Sequence, residues 1–198
     1  MKIKILGTKL ILTFPFAAII VLLLFIDKSG IFLPLLAACL LHELGHIVAM
    51  RFVGTAPKQI VFKIASLEIS GYVLKSLKDE AFIALMGPAA NFLFFIIFYL
   101  IYKVFKDEVF IKTAAIMLAL GFVNMLPSYG LDGGDVAYAV LSHFLSKNKS
   151  ELILSVLSII IAFLICFAGC FVLINMHNPS ITIFGIYLFI MAVMKKGI

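Results

Sequence analysis

Long apolar runs alternate with short polar breaks along this chain. Six runs stand out: Leu10–Ile26, Ile31–Met50, Ala81–Tyr102, Val109–Leu126, Leu152–Ile174 and Ile181–Met194. A helix needs about 20 apolar residues, within a range of roughly 17–25, to cross a bilayer. The pattern therefore predicts an all-α polytopic membrane protein with about six transmembrane helices. The sixth run is short, and the fourth ends just before Pro127. One stretch follows a different period. Within Thr55–Lys78, Ile60, Phe62 and Ile64 fall on one side, and Leu67 and Ile69 alternate with Glu68 and Ser70. That period of two predicts a small β-hairpin at the cytoplasmic membrane surface, between the second and third spans. The chain shows no repeats, low-complexity tracts or Pro- and Ser-rich linkers. A single membrane-embedded domain over residues 1–198 is expected, with its core at 31–134 and the hairpin at 55–78.

Composition agrees with burial in lipid. The 198 residues are 64% hydrophobic and 13% charged, and mean hydropathy is +1.22. Soluble domains are roughly 45–50% apolar and about 25% charged. The 16 Lys and Arg exceed the 10 Asp and Glu, but they form no basic patch of the kind that binds nucleic acid. Their placement reads as orientation instead. With the N-terminus in the cytoplasm, most of them fall on the inner side, and only Lys28, Lys103, Lys106 and Lys112 fall outside. Both termini are then cytoplasmic, in what is expected to be a bacterial cell membrane. Cys39, Cys166 and Cys170 lie in apolar runs and, being odd in number, suggest packing residues rather than a disulfide framework. The first run has a basic start and no clear cleavage site, so it reads as a retained anchor.

Chemistry enters at His42-Glu43-Leu44-Gly45-His46, inside the second apolar run. An ionisable group deep in a membrane helix costs about 2.5–3.5 kcal/mol on insertion scales, so three together imply a function. At i and i+4 the two imidazoles share a helix face and can hold one Zn²⁺, with Glu43 beside them as general base. A hydrolytic zinc site usually has three protein ligands, so a third is required. Asn124-Met-Leu-Pro127-Ser-Tyr-Gly-Leu-Asp132-Gly133-Gly134 follows the fourth run and supplies a carboxylate, Asp132, at a helix break. Gly87-Pro88-Ala-Ala-Asn91 marks the third run. Charge counting places all three motifs near the inner side of the membrane. His143 reads as an interfacial histidine, His177 as part of an outer loop, and Asp135 as a solvated helix-start carboxylate.

These motifs, in this order and spacing, resemble the site-2 protease family, the intramembrane zinc metalloproteases. The resemblance covers about Ile31 to Gly134. It implies His42, His46 and Asp132 as ligands of one zinc ion per chain. It implies Glu43 as catalytic base and Asn124 as a group that positions the substrate or polarises its carbonyl. Gly87, Pro88, Asn91, Pro127 and Gly133 complete the motif set. The compact form looks most like the stage IV sporulation protease FB branch, which processes a membrane-associated pro-sigma factor and typically carries a CBS domain. No CBS or PDZ domain is expected here. The partners implied are a membrane-associated protein substrate, such as a pro-sigma or anti-sigma factor, together with membrane regulatory proteins and the bilayer.

Two other readings use the same residues. Broken helices with His, Asp and Asn at mid-depth also build metal or ion transporters, which would show paired motifs in two halves. A catalytically silent membrane scaffold would have no need of Glu43 as a base.

Overall fold

The computed structural model describes residues 2–5, 8–55, 57–62, 67–70 and 76–194. Among them are seven helices: α1 (Phe14–Ile26), α2 (Phe32–Phe52), α3 (Leu77–Phe105), α4 (Glu108–Asn124), α5 (Asp132–Phe144), α6 (Lys147–Met176) and α7 (Ser180–Met194). Four strands accompany them: β1 (Lys2–Ile5), β2 (Thr8–Leu12), β3 (Gln59–Phe62) and β4 (Leu67–Ser70).

The expected fold class needs correction. The protein is not all-α with an isolated hairpin, because the strands form one four-stranded sheet in the order β1-β2-β3-β4. β3 and β4 are antiparallel neighbours, with Ile60 opposite Ile69. β2 lies parallel to β3, pairing Lys9 with Gln59 and Leu12 with Phe62. A parallel pair needs a long crossover, and here α1 and α2 provide it. Residues read as the start of the first span, Leu10–Leu12, belong to β2 instead. Ile64, part of the expected hairpin, lies outside the described residues. The count of six spans is corrected as well. Among the described residues three helices, α2, α3 and α6, are long and apolar enough to cross a membrane, and α1 and α7 are apolar but shorter. The apolar helices make this a membrane protein.

Two compact units are distinguished: Met1–Asp79 with Met86–Gly121, and Glu80–Leu85 with Phe122–Ile198. In the first, α2 is started by Asp27, whose carboxylate accepts from the backbone N–H of Ser29 at 2.9 Å and of Phe32 at 2.8 Å. These acceptors satisfy donors that a helix start leaves open. α3 starts with Ser76, whose hydroxyl accepts from Asp79 N–H, and ends at Lys106 in the left-handed region. α2 and α3 meet at Gly45. A Cβ there would stand 2.9 Å from Ala90 Cβ and closer still to the Met86 carbonyl oxygen.

In the second unit, α6 and α7 pack through small residues. A Cβ on Gly169 would reach the backbone of Thr182, and one on Gly185 would reach the backbone of Cys166. With little hydrophobic drive between helices in lipid, such close backbone approach is what holds them together. Leu131, Ala162 and Leu188 form a buried cluster, flanked by Leu126, Ile161, Ile165 and Phe184.

Candidate metal centre

The histidine pair is built by α2 and backed by the part of α3 that begins at Met86, both within the first unit. His42 and His46 are 7% and 8% exposed, while Leu44 and Val48 on the other face of the helix are open. Helical periodicity puts the two rings on one face. They stand edge to face at 87°, with centroids 4.7 Å apart. Their Nε2 atoms approach to 3.1 Å. Zn–N bonds of about 2.0–2.1 Å at a tetrahedral angle would place two ligand nitrogens about 3.3 Å apart, so the pair fits one zinc ion. Two imidazole lone pairs do not face each other at this distance unless a proton or a cation lies between them. Glu43, the next residue, is half-buried.

Gly87 makes the pair possible. A Cβ there would overlap Nε2 and Cε1 of His46 and stand 2.8 Å from Cε1 of His42. Pro88 follows within α3, where its ring removes one helical N–H. One turn beyond Gly87, Asn91 is fully buried, and its Nδ2 lies 3.1 Å from His42 Nδ1. Six motif residues, His42, Glu43, His46, Gly87, Pro88 and Asn91, are thus carried on α2 and α3.

The other motif folds within the second unit. α4 ends at Asn124, and a tight turn follows. Met125 N–H donates to the Phe122 carbonyl, Leu126 N–H to that of Val123, and Leu131 N–H to that of Ser128. Gly130 has φ +85°, a conformation that suits glycine. Tyr129 is held by its N–H donating to the Ser158 hydroxyl at 2.9 Å. Asp132 is the first residue of α5 and is half-buried. Gly133 and Gly134 let α5 start against the turn: a Cβ on Gly133 would overlap the carbonyls of Met125 and Leu126, and one on Gly134 the carbonyl of Ser128. Pro127 is half-buried within this turn. α5 itself was missed in sequence, being amphipathic rather than apolar. Asp135 is exposed in its first turn. A cavity of about 470 Å³ opens beside it, lined by Glu80, Tyr129, Tyr138 and Glu151 among others. His143 is exposed and packs on Phe144. His177 is the left-handed C-cap of α6. Cys39, Cys166 and Cys170 are free thiols.

A helical membrane protein with a buried histidine pair at metal-ligand spacing is the class that fold and site define. Comparison with known proteins narrows it. The structure is similar to the site-2 protease from Methanocaldococcus jannaschii, with a TM-score of 0.68 and 22% identity, over 98% of this chain and 94% of that one. In sequence the chain is 27% identical over 126 residues to a zinc metalloprotease of the same organism, covering 61% of this chain. The chain spans 37% of that relative's length. It matches no protein-family model. The chain thus shares the fold of that site-2 protease.

Proposed function

We propose that this chain is an intramembrane zinc metalloendopeptidase that cuts a membrane-associated protein near the cytoplasmic side. The observation that carries this reading is the 3.1 Å approach of two buried Nε2 atoms on an apolar helix. Its support is the HExxH spacing, the shared fold and the zinc metalloprotease relative.

In this reading His42, His46 and Asp132 hold one zinc ion. Bound there, zinc supplies a Lewis acid that polarises the scissile carbonyl and makes water a nucleophile near neutral pH. Glu43 accepts the proton of the attacking water and passes it to the leaving amine. The Asn124 amide positions the carbonyl and donates toward its developing charge. The turn at Pro127–Gly130 brings cytoplasmic water to the site. The substrate is a membrane-associated protein, with pro-sigma or anti-sigma factors as the candidates that the family resemblance suggests. The protein sits in a bacterial cytoplasmic membrane with both termini inside.

Glu43→Gln tests this against transport and scaffolding. Cells making wild type or the variant are compared for new protein termini in their membranes and cytosol. Fragments present with wild type and absent with the variant, at unchanged zinc content, support the protease. Identical termini in both remove it.

A further inference from the structure

The mechanism uses His42 but leaves the buried group behind it without a role. Asn91 is 0% exposed inside a membrane helix. A polar side chain so placed needs a reason. Its amide meets His42 Nδ1, at 3.1 Å and 49 residues away in sequence. Its Oδ1 is buried with no hydrogen-bond partner among the described residues.

We infer that Asn91 is a positioning residue that holds His42 in the tautomer able to bind metal. The inference rests on the zinc reading above and deepens it. His42 presents Nε2 to His46. A neutral imidazole has one N–H and one lone pair. For Nε2 to offer its lone pair to a metal, Nδ1 must carry the proton, and that N–H must then donate to an acceptor. The amide of Asn91 is the group at that nitrogen. Its oxygen and nitrogen exchange places on a half-turn and are told apart by the hydrogen-bond network. With Oδ1 toward His42, the Nδ1–H is accepted and Nε2 is released for the ion. With Nδ2 toward it, Nδ1 accepts, and Nε2 carries a proton that points at His46. The amide thus selects between the two tautomers without any charge of its own, which suits a site within an apolar helix pair. Partners that orient a ligating histidine in this way usually accept from its second nitrogen.

The test is zinc affinity, measured on purified, detergent-solubilised protein by competition with a chromophoric chelator. Asn91→Asp keeps an acceptor, whereas Asn91→Leu and Asn91→Ala remove it. Loss of an outer partner typically weakens binding about 10–100-fold. The expectation is a drop of that size in the leucine and alanine variants, with affinity near wild type in the aspartate variant. Cobalt absorption bands of the tetrahedral type should persist in wild type and Asn91→Asp and fade in the others. A thermal melt identifies any variant that has not folded, and the comparison is then made on the remaining acceptor-less one. Equal affinity in all four proteins, or equal loss in all three variants, would overturn the inference and leave Asn91 a packing residue. A wild-type protein that takes up no zinc at all would sink the metal reading itself, which is a separate and recognisable outcome.

Discussion

Gly87 lies against the imidazole of His46 with no space for a side chain between them. A methyl group there would meet both histidines at the edges that face each other. The ring of His46 is buried against α3 and has little room to swing away.

Gly87→Ala is therefore expected to disturb the pair at once. Overpacking a filled site typically costs about 1–3 kcal/mol. Zinc affinity should fall at least tenfold while the helices remain formed. Circular dichroism and chelator competition on the same sample check this. Undiminished affinity would mean that the rings can move aside.

Gly45 tests the frame rather than the ligands. A Cβ at this position meets the backbone carbonyl of Met86, which is not a flexible chain end. Gly45→Ala should lower the detergent melting temperature through a loss of about 1–3 kcal/mol. A melting curve superimposable on wild type would show that α2 and α3 can separate slightly at no cost.

Asp132→Ala addresses the proposed third ligand. Wild type is expected to hold about one zinc per chain, as a site with three protein ligands would. The variant should hold far less after equilibrium dialysis, read by elemental analysis. Equal zinc in the two proteins would exclude Asp132 as a ligand.

Asp27 gives a pH-dependent expectation outside the spans. Its carboxyl is held below the usual 3.8, first by the Ser29 hydroxyl and next by the Phe32 N–H. A carboxylate whose pKa is lowered on folding contributes stability above its unfolded pKa and loses it as pH falls through the folded one. Asp27→Ala should thus melt below wild type at pH 7, and the gap should close as pH falls below about 3.8. A gap that persists undiminished at pH 2 would assign the effect to something other than the ionised cap.

Much of the candidate site could be read from residue order because its parts are local. Four-residue spacing alone puts His42 and His46 on one helix face, and Pro127 with Gly130 alone breaks the chain before Asp132. The apolar runs likewise mark α1 to α4, α6 and α7, since burial in lipid leaves a compositional trace. α5 left no such trace, because only one of its faces is apolar. β1 and β2 were hidden for a different reason. Leu10–Leu12 continues without a break into α1, and an apolar residue suits either element. Its strand character comes from Lys9 and Leu12 pairing with Gln59 and Phe62, about fifty residues on. No local period records such a partner. The same holds at the metal centre. That Asn91 meets His42, and that Gly87 leaves room for His46, depends on where α2 crosses α3. Backbone approach at Gly45 sets that crossing. Spacing along one helix is a property of the chain, whereas contact between helices is chosen by packing.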